Sequence, residues 1–83
     1  MGIYTNINDT IQMKTNETVY RLFIGESNIE TVYLIDAIDR LEGNGYYKPN
    51  TVLRLLNANQ IVSAPFCFYS KDKAILEKLL PNN

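Results

Sequence analysis

The sequence predicts a small α+β domain in which a mostly antiparallel sheet is covered by two helices. A dense run of β-branched and aromatic residues, Thr18–Gly25, is typical of a strand. A segment with apolar residues at helical spacing follows it over 28–42, and a second amphipathic segment spans 71–80. Because each amphipathic helix must bury one stripe, a sheet is its natural partner. We therefore expect a two-layer sandwich in a single domain over residues 1–83.

The first half of the chain supplies the central strand. Residues 3–13 are apolar only intermittently and predict an edge strand or an ordered arm, and 14–17 reads as a turn. In Thr18–Gly25, side chains alternate between two faces. Val19, Arg21 and Phe23 share one face, while the other face carries Tyr20, Leu22 and Ile24. Both faces are largely apolar, which predicts a strand inside the sheet.

A capping box predicts the start of the first helix. Ser27 can accept from the backbone at Glu30, whose side chain can return to the cap. Asp36 and Arg40 are four residues apart and should form an ion pair on the solvent-exposed face of the helix. Gly43 predicts the end of the helix. The predicted buried stripe consists of Thr31, Leu34, Ile35, Ile38 and Leu41.

Residues 46–60 allow two interpretations. As a helix, the segment would be capped by Asn50 and would bury Val52, Leu53, Leu55 and Leu56. As a strand, 51–56 would be followed by a hairpin turn at 57–60. Periodicity does not decide so short a run. We favour the strand, because the hairpin gives the next strand a neighbour.

The C-terminal part predicts one more strand and the second helix. Ile61–Tyr69 is strand-like, but Pro65 removes a ladder donor and places it at an edge or a bulge. Ser70 can cap the helix over 71–80, which Pro81 stops. The predicted order is therefore β-β-α-β-β-α, a two-layer arrangement that is ferredoxin-like in spirit.

Composition excludes several classes of protein. Eight Lys and Arg stand against nine Asp and Glu, a net charge of −1, which argues against a nucleic-acid binder that needs clustered cations. The lone cysteine, Cys67, rules out an internal disulfide. We expect neither a secretory signal nor a membrane-spanning helix, and we expect a cytoplasmic location.

The candidates for chemistry have simpler structural explanations. The chain has no His, the commonest general base and metal ligand. Asp36 and Asp39 suit a solvated helix face better than a cation site, and Cys67 suits a buried position better than a reactive thiol. Glu26-Ser27-Asn28 can hold an anion at a helix start, but the capping box explains them. We predict no enzyme activity, no cofactor and no metal.

The aromatic residues carry the remaining functional prediction. Tyr46 and Tyr47 follow a Gly-Asn-Gly turn, and Tyr69 ends a predicted edge strand. Tyrosine is a favoured interface anchor, because it brings a large area at low rotamer cost. We predict these three tyrosines as protein-contact residues. Phe66 and Phe68 are expected mainly in the core.

The run Tyr20-Arg21-Leu22-Phe23-Ile24-Gly25-Glu26-Ser27-Asn28, followed by a predicted helix, resembles small phage or mobile-element accessory proteins of low-GC bacteria. The resemblance implies a protein that binds and inhibits a host replication, transcription or defence protein, and it transfers no site residue.

The sequence thus favours a non-enzymatic protein-binding module, which can also be a homodimer through a sheet edge. A ferredoxin-like small-ligand sensor is the alternative, and a nucleic-acid-binding protein is less favoured.

Overall fold

A four-stranded antiparallel sheet organises the fold in the computed structural model, which describes residues 16–81. The strands are β1 (Thr18–Phe23), β2 (Ile29–Tyr33), β3 (Val62–Ser63) and β4 (Cys67–Ser70), in the spatial order β2-β1-β4-β3. The helices are α1 (Leu34–Glu42), α2 (Val52–Asn57) and α3 (Lys73–Glu77). The predicted α+β class and antiparallel sheet are confirmed. The order of the described elements, β-β-α-α-β-β-α, differs from the prediction, and the predicted strand or arm over 3–13 lies outside the described residues.

The central strand is β1, as its two apolar faces predicted. Val19 on one face and Leu22 on the other are both buried. Helices α1 and α2 share one apolar cluster with Val19. Helix α3 contacts β1, β2 and β4, and its buried Leu76 is not part of that cluster, which places α3 over the Leu22 face. Helices therefore cover both faces, and the predicted two-layer arrangement with two helices is replaced by three layers with three helices.

The predicted helix over 28–42 is wrong over residues 28–33, because helix α1 begins only at Leu34. Ile29–Tyr33 forms β2 and pairs with β1 from Thr18↔Tyr33 to Leu22↔Ile29. The capping box does not form, because the Glu30 side chain bonds across the sheet to Arg21 instead. The β1–β2 connection turns at Gly25, whose φ of 87° favours glycine. Helix α1 begins at Leu34 after Tyr33, which makes no side-chain cap.

Residues 52–57 form a helix, so the favoured strand interpretation is wrong. The donors at the start of α2 are satisfied from outside the helix: the Glu42 carboxylate accepts from the backbone N–H groups of Asn50, Thr51 and Val52 at 2.9 to 3.1 Å. Neither Asn50 nor Thr51 caps α2 with its side chain. A carboxylate suits this position, because a helix N-terminus carries unpaired donors and partial positive charge.

The predicted hairpin turn at 57–60 is a helix C-terminus. Asn59 has a φ of 59°, its N–H donates to the Leu56 carbonyl, and the Gln60 N–H donates to the Leu55 carbonyl. These two bonds around a left-handed residue define a Schellman motif, with asparagine in the place that glycine usually takes.

The predicted strand Ile61–Tyr69 is interrupted. It forms two strands, β3 and β4, and Pro65 lies in the turn between them, which the Ala64 N–H closes by donating to the Cys67 carbonyl. The predicted last helix is shorter, and its cap is Asp72, which accepts from the Ala74 N–H. Ser70 is not the helix cap; it is buried and accepts from the Asp72 N–H.

Replacing Glu42 with alanine should lower the free energy of unfolding by about 1–2 kcal/mol, because the Asn50 and Val52 N–H groups lose their acceptor and the Thr51 N–H keeps only the Lys48 carbonyl. Urea unfolding of the variant and of the wild type measures the change. The exposed Glu77→Ala, in α3, is the matched control and should stay within about 0.5 kcal/mol of wild type. Equal effects of the two substitutions would contradict the role given to Glu42.

Candidate functional site

Arg21 is a charged residue on the inner face of the central strand. It lies opposite Glu30 on one side and opposite Tyr69 on the other. Its Nη2 is 2.8 Å and its Nε 2.9 Å from Glu30 Oε2, and its guanidinium carbon lies 4.7 Å from the centre of the Phe23 ring. The strand register thus holds the Arg21 guanidinium between the Glu30 carboxylate and the Phe23 ring, on the face of the sheet that α1 covers.

Arg21 lines a polar cleft between α1 and the sheet, with a volume of about 420 Å³. Its wall contains Arg21, Val32, Asp36, Ala37, Asp39, Arg40, Asn44 and Tyr69. The Asn44 side-chain amide donates to the Arg40 carbonyl at 2.7 Å and so extends α1 along this wall. The predicted Asp36–Arg40 ion pair is not formed; among residues 16–81 the ion pair joins Arg21 to Glu30. The cleft therefore presents both guanidinium and carboxylate groups.

Tyr69 is fully buried at the wall of this cleft. Its hydroxyl makes no hydrogen bond of good geometry among the described residues, although the Arg21 guanidinium and the Cys67 thiol lie near enough to influence its pKa. Burial raises the pKa of the phenol above its ordinary value, so the neutral form is favoured. A buried hydroxyl without a partner is costly, and such groups are uncommon in folded proteins.

An aromatic groove continues from the polar cleft and shares Arg21, Arg40 and Asn44 with it. Its volume is about 260 Å³, and its other lining residues are Phe23, Leu41, Tyr46, Ala64, Pro65, Phe66 and Cys67. The lining contains two arginines and no carboxylate. The groove lies between the end of α1 and the β3–β4 turn.

The three predicted contact tyrosines occupy different environments. Tyr46 is 53% exposed at the aromatic groove. Tyr47 is half-buried and donates its hydroxyl to the Ser63 carbonyl at 2.7 Å, which ties the α1–α2 connection to β3. Tyr69 is 0% exposed, so its ring does not reach a partner's surface. The structure brings Tyr46 and Tyr69 to adjoining cavities and gives Tyr47 a structural bond.

Two aromatic residues of the groove were not predicted as contacts. Phe66, expected mainly in the core, is 75% exposed, and Phe23 is 38% exposed. Phe66 follows Pro65 in the β3–β4 turn, so the turn holds it outside the core. The proline was the one indication in the sequence, since it marks where a strand is interrupted. Phe68 is half-buried.

The remaining candidate residues from the sequence lie in the core, in the β1–β2 connection and at the polar cleft. Cys67 is a buried free thiol, as its apolar neighbours predicted. Glu26, Ser27 and Asn28 are exposed in the β1–β2 connection and begin no helix, which removes the basis of the anion hypothesis. Asp36 and Asp39 line the polar cleft, and within the described part of the chain they join no group of three or more potential metal ligands.

Tyr69→Phe should leave the free energy of unfolding at neutral pH unchanged or raise it by about 1–2 kcal/mol, because it removes an unpartnered buried hydroxyl. Tyr47→Phe removes a bonded hydroxyl and should lower it by about 1 kcal/mol. Urea unfolding of both variants measures the contrast. A larger loss for Tyr69→Phe than for Tyr47→Phe would show that the Tyr69 hydroxyl has a partner.

The stability of Tyr69→Phe can also be compared with that of wild type at high pH. The unfolded phenol releases its proton near the ordinary pKa of 10.0, before the folded one does, so Tyr69 costs stability as the pH rises above that value. The stability of Tyr69→Phe should therefore fall less steeply than that of wild type above this pH.

Among residues 16–81, no helix is both long enough and apolar enough to cross a bilayer. Comparison of the chain with protein-family models, with curated proteins and with solved structures finds no match. Its function therefore has to be inferred from the groove and the cleft.

Proposed function

We propose that this protein is a non-enzymatic protein-binding module that contacts its partner through the aromatic groove. The observation that carries the proposal is the exposure of Phe66, Tyr46 and Phe23 around one concave, apolar site. Aromatic anchors in or beside a pocket supply most of the energy of many protein interfaces. A role as a phage-type inhibitor of a host replication, transcription or defence protein, in the host cytoplasm, belongs to the same proposal and rests on the sequence resemblance.

The chemistry of the groove defines the partner. At about 260 Å³ the groove is smaller than most pockets for free organic ligands, and it suits one large side chain of a protein. Arg21 is balanced by Glu30, so the Arg40 guanidinium is the uncompensated charge in the lining. The proposed partner segment carries a large apolar side chain beside an Asp or Glu.

The groove is also held in place before binding. The Tyr46 and Tyr47 N–H groups both donate to the Leu41 carbonyl, and the Ile24 N–H donates to the Phe66 carbonyl at 2.9 Å. These bonds fix the backbone on both sides of the groove. A surface that is already ordered binds at a smaller entropic cost.

Affinity capture with the full chain, from a nuclease-treated lysate of the bacterium that carries the gene, should recover one stoichiometric protein. With that protein purified, Phe66→Ala and Tyr46→Ala should each weaken binding by about 2 kcal/mol, roughly 30-fold. Titration calorimetry measures the loss.

Ile35→Ala is the matched control, because Ile35 is an exposed apolar residue of α1 outside both cavities. It should leave the affinity unchanged. Unchanged affinity in both aromatic variants would refute the groove as the contact site, and nuclease-sensitive capture would favour nucleic-acid binding instead.

One observation favours the ligand-sensor alternative: the unpartnered Tyr69 hydroxyl beside the polar cleft. At about 420 Å³ this cleft falls within the size range of small-molecule sites. Arg40 can meet a carboxylate, and Asp36 and Asp39 can meet an ammonium group. A zwitterionic amino acid is the ligand class that this mixture of charges suits.

Thermal unfolding with a panel of amino acids and nucleotides tests this alternative. A true ligand at about 100 times its Kd adds about 2.7 kcal/mol and raises the midpoint. Tyr69→Phe should reduce that rise, while Tyr47→Phe should keep it. A flat response to the whole panel would refute the alternative without affecting the protein-binding proposal.

A further inference from the structure

Strand β2 forms one edge of the sheet that residues 16–81 build. Its one neighbour in the described sheet is β1, and its far side has no strand there. Within Ile29–Tyr33 there is no proline and no lysine, two residues that commonly protect such edges. Glu30 carries the strand's one charge, and Arg21 holds its side chain. Within residues 16–81, nothing in the sheet therefore prevents this edge from pairing with another strand.

The register shows which backbone groups point outward. The Leu34 N–H donates to the Glu17 carbonyl, one step beyond the Thr18↔Tyr33 pair. Antiparallel pairs alternate between bonded and non-bonded, so Val32 and Glu30 direct their groups to β1. Ile29, Thr31 and Tyr33 therefore present their N–H and C=O groups to the open side.

The opposite edge is protected. Strand β3 has two residues, and Pro65 follows shortly after it. By the same alternation, Ser63 directs its backbone N–H and C=O groups outward from β3. Its carbonyl, however, already accepts a hydrogen bond from the Tyr47 hydroxyl. The two edges of the sheet thus differ in length and in the number of free backbone groups.

We propose that β2 pairs with β2 of a second copy, antiparallel and centred on Thr31. Thr31 then lies opposite itself, and Ile29 lies opposite Tyr33 of the other copy. Every outward group of the strand gains a partner, because each of these three pairs exchanges two hydrogen bonds. A β-branched residue also meets an aromatic one on the same face, a favourable cross-strand pair. This inference goes beyond the proposed function and uses a different surface.

Charge selects this register over its neighbours. Centred on Thr31, Glu30 lies opposite Val32 of the other copy. Centred on Glu30, the two Glu30 carboxylates would lie directly opposite each other, which is destabilising. Centred on Val32, Ile29 would lie opposite Ile35, which is in α1 and offers no strand. The Thr31-centred pair satisfies the most backbone groups and sets no like charges opposite each other.

The interface expected from one short strand is small, so the dimer should be weak. Interfaces below about 1,200 Å² are typical of transient association. Sedimentation equilibrium of the full chain over a concentration series up to about 1 mM, the Kd scale of a weak complex, should show a shift from 9.5 kDa towards twice that mass. A monomer throughout the series would refute the proposal.

Thr31→Pro should abolish association, because it removes an outward N–H and none that bonds to β1. Ser63→Pro is the matched control: it removes an outward N–H from β3 and should leave the dimer intact. Circular dichroism of both variants checks that each is folded. A folded Thr31→Pro variant that still dimerises would refute β2 as the interface.

A charge exchange tests the register without altering the backbone. Thr31→Lys and Thr31→Glu should each be monomeric, because residue 31 faces itself and like charges would be opposed. An equimolar mixture of the two should form a heterodimer. If the mixture is as monomeric as its components, or if each variant dimerises alone, the Thr31-centred pair is wrong. None of these substitutions touches the aromatic groove, so they leave the test of partner binding independent.

Discussion

The Glu42 carboxylate connects helices α1 and α2 and so fixes the side of the molecule that carries the aromatic groove. It ends one helix and caps the next, through three backbone donors at Asn50, Thr51 and Val52. Helix α2 has six residues and is too short to be stable alone. Its position also sets the path of the preceding connection, which carries Tyr46 at the groove and Tyr47 against β3. One side chain therefore fixes both the packing of α2 and the shape of the site.

Local chemistry predicted the elements whose periodicity was unambiguous. The central strand β1, the later part of α1 and the burial of Cys67 all follow from residue type and spacing. The errors have one cause in common, which is that a distant partner decided between two acceptable local structures. Ser27-Asn28-Ile29-Glu30 satisfies a capping box, but Ile29–Tyr33 gains a full ladder with β1 and Glu30 gains Arg21. Neither the ladder with β1 nor the pairing of Glu30 with Arg21 can be read from the local sequence.

The site was less predictable than the fold for the same reason. A capping carboxylate eight to ten residues away from its donors leaves no periodic pattern, so the favoured strand over 51–56 was wrong. An asparagine in the left-handed conformation at Asn59 ends a helix as well as it turns a hairpin. Tyr46 was predicted as a contact residue, and it is exposed at the aromatic groove. Phe66 was not predicted as a contact residue. Pro65 marks a turn in the sequence, but a turn does not determine on which side of the sheet the next aromatic ring lies.

The pairing of β1 with β4 has a consequence for how the chain reaches this structure. Tyr20 lies opposite Ser70, so the centre of the sheet joins residues from the two ends of the described chain. Contacts between residues so far apart slow folding, because the intervening loop must close before they form. During synthesis, β1 and β2 emerge as a hairpin whose inner side stays open until β4 has been made. The nascent chain thus carries an unpaired edge at β1 until Cys67–Ser70 has been made.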